Sequence, residues 1–178
     1  GLKVLDLFSY AGAWGIAAAT AGAAEVTCVD SSESALALAA QSAELNHVGT
    51  TMQFVRCDVF EFLKQAREEQ HHYDVIVLDP PALIKRKKDF KAGYEAYRRL
   101  NHMALQVLSS NGLLVSASCS HHLSRENLHE ILRSSARHID RHLVFLANGG
   151  QGPDHPIHPA MPETDYLKTY FCAVSARF

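Results

Sequence analysis

Apolar runs that alternate regularly with helical patterns constrain this chain more than any other feature. Strand-like runs fall at residues 4–8, 25–29, 52–56, 74–78, 112–117, 143–146 and 169–175. Helical patterns fill the gaps at 13–20, 33–46, 59–70, 90–108 and 125–137. A run as apolar as Val75-Ile76-Val77-Leu78 is that of a strand covered on both faces. Alternation of this kind predicts an α/β fold, a mostly parallel seven-stranded sheet with helices on both faces. Ser32 and Ser124 stand where helix N-caps belong, and Asn111-Gly112 reads as a turn ending the fourth helix. The last two strands are joined by residues 148–168, rich in Gly and Pro and without helical pattern, so an antiparallel pair is expected at one end of the sheet. With 178 residues and 47% apolar content, the chain is long enough for one domain with a full core.

In an open α/β sheet, ligands sit beyond the carboxyl ends of the strands. The residues there are 6–12, Asp30-Ser31, Asp58-Val59, Asp79-Pro80-Pro81 and Ser118-Cys119-Ser120. The first of these loops carries Gly12 and Gly15 ahead of an alanine-rich helix. Glycine permits close backbone approach, and a helix N-terminus offers free N–H groups. It is not the dinucleotide pattern G-x-G-x-x-G, because Asp6, Phe8, Ser9 and Tyr10 occupy the positions before Gly12. An acid and aromatics suit a cationic, aromatic ligand better than a pyrophosphate. S-adenosylmethionine, with its ammonium, sulfonium and adenine, is such a ligand. Asp30, with Ser31 beside it, ends the second strand, where an acid accepts the two ribose hydroxyls or caps the helix that follows. Asp58 either accepts the adenine amino group, with Val59 packed on the ring, or N-caps its helix.

Asp79-Pro80-Pro81 makes a stiff strand end with carbonyls and a carboxylate exposed, suited to edge-on recognition of a planar base. Ala82 follows in place of the aromatic usual in methyltransferases that act on exocyclic amines. Cys119 lies just past a strand end and between serines, unlike Cys28, Cys57 and Cys172, which sit in apolar segments as small core residues. A thiolate there is the nucleophile that methylation of a pyrimidine C5 needs, since that carbon reacts only after addition at C6. Net charge is −2, so RNA contact must be local. Lys85, Arg86, Lys87 and Lys88, with Lys91, Arg98 and Arg99, form a basic stretch at the rim of the presumed site, with Tyr94 and Tyr97 available for stacking and one of the two expected in the core. The eleven histidines have no thiolate or carboxylate set at ligand spacing, so no metal is expected; His155, in the Gly/Pro loop, is a candidate for the substrate side of the site. Four scattered cysteines, no membrane-length apolar run and no leader pattern point to a reducing cytosol.

Together, Asp6-x-Phe8-Ser9-Tyr10-x-Gly12, Val29-Asp30-Ser31-Ser32, Asp58-Val59-Phe60, Leu78-Asp79-Pro80-Pro81, Ser118-Cys119-Ser120 and the late Asp154-His155-Pro156, Pro162-Glu163 and Tyr166-Leu167-Lys168 resemble the bacterial 23S ribosomal RNA cytosine-5 methyltransferases. The resemblance spans nearly the whole chain. It implies a Rossmann-like class I fold, S-adenosylmethionine as cofactor, and 23S RNA, with an unstacked or flipped cytosine, as partner. It implies Cys119 as nucleophile, Asp79 as a base-positioning group, and Phe8, Tyr10, Gly12, Asp30 and Asp58 around the cofactor. In that family an RNA-binding PUA domain and a small linking domain precede the catalytic part, so the start of this chain beside a strand is expected to be that of a piece of a longer protein. Many RNA cytosine-5 methyltransferases carry a second cysteine where Pro81 stands here, which places the resemblance in the one-cysteine group. A sibling group that methylates guanine has asparagine at the Cys119 position. The alternative chemistry is therefore methylation of guanine or another substrate, with Cys119 structural.

Overall fold

Each apolar run becomes a strand of one sheet. The computed structural model describes residues 1–176, in the order β1 (Lys3–Leu7), α1 (Ala13–Thr20), β2 (Glu25–Asp30), α2 (Glu33–Leu45), β3 (Met52–Arg56), α3 (Val59–Glu68), β4 (Tyr73–Leu78), α4 (Phe90–Val107), β5 (Leu108–Ser118), α5 (Arg125–Arg137), β6 (Arg141–Gly149) and β7 (Lys168–Ala176). The strands lie in the order β3-β2-β1-β4-β5-β7-β6. Pairing is parallel from β3 to β5, and β7 is antiparallel to both β5 and β6. Strand order reverses between β1 and β4, so the ligand crevice is expected above those two carboxyl ends.

The period-two alternation of a strand divides β1 between two cores. Leu5 and Leu7 pack with Leu63, Leu100, Leu105 and Ile131 of α3, α4 and α5. Val4 packs on the other face with Ala19, Val26, Cys28, Ala43 and Met52, under α1 and α2. Asp6 belongs to the Val4 face and is fully buried. A wholly buried leucine such as Leu5 or Leu7 stabilises the fold by about 2 kcal/mol.

The caps expected at two helices are present. Ser32 Oγ accepts from the Ala35 N–H at 3.3 Å, and Ser124 forms a capping box with Asn127. The expected turn at Asn111-Gly112 is corrected: α4 ends at Val107, and both residues lie inside β5. Leu108 is wholly buried and pairs with Tyr73, while the next aligned pair is Val75 with Leu113, so residues 109–112 are taken up as a bulge. Ser109 Oγ donates to Asp74 Oδ1 at 3.0 Å across it. A Cβ on Gly112 would stand 2.7 Å from the Leu108 side chain, so the bulge needs glycine.

Candidate active site

The loop leaving β1 is bent by backbone rather than by apolar packing. Phe8, Tyr10 and Gly12 have φ of 61°, 47° and 78°. Left-handed backbone at two aromatic residues is strained, and such strain gathers at ligand sites. Two carboxylates hold it in place. Asp30 Oδ2 accepts from the Tyr10 N–H at 2.9 Å and Oδ1 from the Ser32 N–H at 2.9 Å, fastening the loop to the end of β2. Asp6 Oδ2 accepts from the Gly15 N–H at 2.9 Å and so anchors the first turn of α1. A Cβ on Gly15 would lie 2.7 Å from Cys28 Sγ and 3.2 Å from Asp6 Oδ2, which is why glycine stands there.

Asp6 lies beneath the loop, not on its open side, and its Oδ1 is buried without a partner. Burial pushes its carboxyl up to about 7, with Asp79 and Asp30 adding to the rise. Ser9 is buried beside it, Phe8 is half-buried and Tyr10 is 69% exposed. Exposed Ser31 follows Asp30. Asp58 N-caps α3, its Oδ1 accepting from the Phe60 and Glu61 N–H groups, and Val59 is buried behind it. The cap read as one alternative for Asp58 is thus present, and both of its bonds fall on one oxygen of an exposed carboxylate.

Across the crevice, Asp79 ends β4 and accepts from Trp14 Nε1–H at 3.3 Å. Burial raises its carboxyl above the usual range. Pro80 is buried and Pro81 exposed. The half-buried Cys119 Sγ lies 4.0 Å from the Pro80 carbonyl, so the thiol and the double-proline loop meet. Burial, then the Asp79 carboxylate, push the Cys119 thiol up, while Lys168 pulls it down.

A buried polar network holds these two segments together. Tyr97 Oη accepts from Ser118 Oγ at 2.9 Å, shares a 2.9 Å hydrogen bond with Ser120 Oγ, and accepts from the Leu83 N–H at 3.4 Å. Ser120 Oγ also accepts from the Ile84 N–H at 3.2 Å. The residues on either side of Cys119 are therefore bound to the segment that follows Pro81. Lys168, at the start of β7, pairs with Ser118 in the sheet register and donates to the Ser120 and Leu123 carbonyls. Burial lowers its ammonium to about 8.

Sequence reasoning gave no site role to Trp14 or Lys168 and offered Tyr97 only for base stacking or for the core. Trp14 reads as one residue of an alanine-rich helix. Tyr97 is the tyrosine of the expected pair that belongs to the core, fully buried, whereas Tyr94 is half-buried. Lys168 was legible only as the last residue of the Tyr166-Leu167-Lys168 run. In the basic stretch, Arg86 pairs with Asp89 at 2.8 Å and Arg98 with Glu95 at 2.6 Å. Lys85, Lys87 and Lys88 are exposed and make no ion pair among the described residues. His155 is exposed and faces Asp154 at 3.1 Å. His158, not His155, lines the cavity of about 440 Å³ that reaches Arg125 and Lys168. Among the described residues no group of three metal-ligating side chains occurs, and no helix is long and apolar enough to cross a membrane.

Comparison with known proteins places this geometry in company. A family model described as RNA cap guanine-N2 methyltransferase matches residues 2–148. The chain is 36% identical over 175 residues to ribosomal RNA large subunit methyltransferase I of Serratia proteamaculans, covering 98% of this chain and 44% of the relative. It is 35% identical over 173 residues to the protein of the same name from Klebsiella pneumoniae, covering 97% and 43%. The chain thus spans less than half the length of the curated relatives it matches. Among solved structures, SMU.776, described as a methyltransferase in complex with SAH, superposes with a TM-score of 0.85 at 29% identity, covering 97% of this chain and 45% of that one.

Proposed function

The chain belongs to the methyltransferase family described as RNA cap guanine-N2 methyltransferase and is a homologue of ribosomal RNA large subunit methyltransferase I; on that premise we propose that it is the catalytic part of an S-adenosylmethionine-dependent enzyme forming 5-methylcytosine in 23S ribosomal RNA. The loop at 8–12, Asp30 and Asp58 fit the cofactor. A strained backbone cradle, an acid at the end of β2 and an exposed carboxylate at the head of α3 match an amino acid, a ribose and an adenine amino group. When bound, the cofactor supplies an electrophilic methyl group on a sulfonium.

The chain's own residues prepare the base. Asp79 and the carbonyls of the double-proline loop hold the amino edge of a flipped cytosine. Cys119, ionised, adds its sulfur to C6, and the C5–C6 π pair moves to C5, which becomes nucleophilic. After C5 has gained its methyl group, loss of the C5 proton and departure of the thiolate restore the ring. Exposed Lys85, Arg86 and Lys88 line the approach and meet phosphates. The site needs no metal, and the reaction suits a cytoplasmic RNA.

The observation that carries the reading is the Cys119 thiol set against the Pro80 carbonyl. Methylation of a guanine amino group needs no thiol there. The family description favours that second chemistry, while Ala82 after the prolines weighs against it. The test incubates wild type and Cys119→Ala with unmodified 23S RNA and labelled S-adenosylmethionine. Label in 5-methylcytidine, lost in a variant that still binds cofactor, is expected. Label in a methylguanosine, or label that survives the substitution, would replace this reading with the guanine chemistry.

A further inference from the structure

Asp6 and Lys168 are the two buried acidic or basic side chains among the described residues. The burial of Asp6 is accounted for by the turn it anchors. That of Lys168, at 3% exposure, is not, because a neutral donor would satisfy the Ser120 and Leu123 carbonyls without the cost of burying a charge. Both carbonyls belong to the turn that leaves Cys119. Lys168 also lies opposite Ser118 in the β5–β7 pairing, so it spans the cysteine from the residue before it to the residues after it.

We propose that Lys168 is a positioning residue for Cys119: its ammonium holds the turn that carries the thiol and supplies the positive charge beside the thiolate during attack. This deepens the reading of Cys119 as nucleophile and rests on it. Charged groups from β4, α5, β7 and the loop before it bear on the pair, and His121, Glu126 and His158 line the cavity that Lys168 shares. Asp79 at the end of β4 opposes ionisation of Cys119, and Lys168 on β7 favours it. Arg125 of α5 disfavours the charge on Lys168, and Asp165, in the loop before β7, favours it. With its ammonium at about 8, Lys168 is protonated near neutrality and supplies its charge there, and it loses that charge at higher pH while the Cys119 thiol, itself pushed up, is still mostly protonated. The thiol proton leaves to solvent, the sulfur–C6 bond forms from the thiolate pair, and the ammonium is unchanged throughout.

The experiment measures alkylation of Cys119 by iodoacetamide as a function of pH, read peptide by peptide by mass spectrometry on the full chain. A sulfur–carbon bond forms and iodide leaves, so the rate follows the thiolate. Lys168→Gln keeps a donor without the charge, and Lys168→Arg keeps the charge. In Lys168→Gln alkylation is expected to slow about tenfold near neutrality, and the difference from the wild type to close above about pH 8, where Lys168 loses its charge. In Lys168→Arg the rate matches the wild type near neutrality and exceeds it above about pH 8, because arginine keeps its charge, and half-buried Cys57 is unchanged in all three. A purely structural lysine would act oppositely: loosening the turn exposes the thiol and speeds its alkylation. An unchanged or faster rate in Lys168→Gln near neutrality, or an equal slowing in Lys168→Arg, overturns the proposal. Should Lys168→Gln fail to fold, the arginine variant decides alone: alkylation faster than the wild type above about pH 8 supports the proposal, and an identical profile or a slower rate overturns it. The assay needs neither RNA nor cofactor. Methyl transfer that survives Cys119→Ala therefore refutes the nucleophile reading, whereas an absent alkylation shift with an inactive Cys119→Ala refutes only the role of Lys168.

Discussion

Replacing Asp6 with asparagine tests whether a buried carboxyl at the root of the site is neutral in the fold. Asp6→Asn keeps an acceptor for the Gly15 N–H and removes the charge. In the wild type, burial raises the carboxyl from 3.8 to about 7. Between those values the folded chain retains a proton that the unfolded chain has lost. Stability therefore falls with rising pH across that window, by about 1.4 kcal/mol per pH unit, and levels off above it. A shift of that size amounts to about 4 kcal/mol over the whole window. Asparagine has no such dependence. At the acid end it is expected to lie within about 1–3 kcal/mol of the wild type, since its amide leaves a buried donor where Oδ1 already lacks a partner. The difference between the two proteins should then move by about 4 kcal/mol in favour of Asp6→Asn as pH rises to about 7. Urea denaturation at a series of pH values, without cofactor, reads this directly. A difference that stays constant across the window would mean that Asp6 ionises normally in the fold, and the account of its burial would be wrong.

Tyr97→Phe removes the hydroxyl shared by Ser118, Ser120 and the Leu83 N–H, and is expected to cost about 1–3 kcal/mol in urea denaturation and to lower methyl transfer while leaving cofactor affinity unchanged; unchanged stability and activity would mean that the network does not hold the Cys119 turn. Replacing Lys85, Lys87 and Lys88 together by serine is expected to reduce the salt dependence of single-stranded RNA binding by about two units of log–log slope. An unchanged slope, measured by fluorescence anisotropy, would place the RNA elsewhere.

Local pattern made most of the fold legible. Parallel strands covered on both faces must be apolar along most of their length, so β1 and β4 stood out from their neighbours, and α1 and α5 have the limits that their patterns suggest. The carboxyl-end rule then singled out Asp6, Asp30, Asp79 and Cys119 as candidates, because in this architecture the strand ends face one crevice. The rule failed to separate positions that line the crevice from positions that support it. Asp6 and Asp79 look alike in sequence, yet one is sealed under α1 and the other meets Trp14 at the crevice. The Asn111-Gly112 turn was misplaced for a related reason. Its local preference is for a break in the chain, and long-range pairing of Leu108 with Tyr73 turned that break into a bulge.

The sequence by itself determined the α/β layering, the row of acids at the strand ends and the isolated cysteine, because each follows from spacing along the chain. Tertiary structure alone decided which groups surround that cysteine. Lys168 lies 49 residues after Cys119, and Tyr97 precedes it by 22. Both reach its turn only because β7 inserts antiparallel beside β5 and α4 packs beneath it, and no periodicity in one segment encodes such a meeting. Burial follows from the same packing, so the displaced ionisation of Asp6, Cys119 and Lys168 is a property of the assembled layers rather than of the residues themselves.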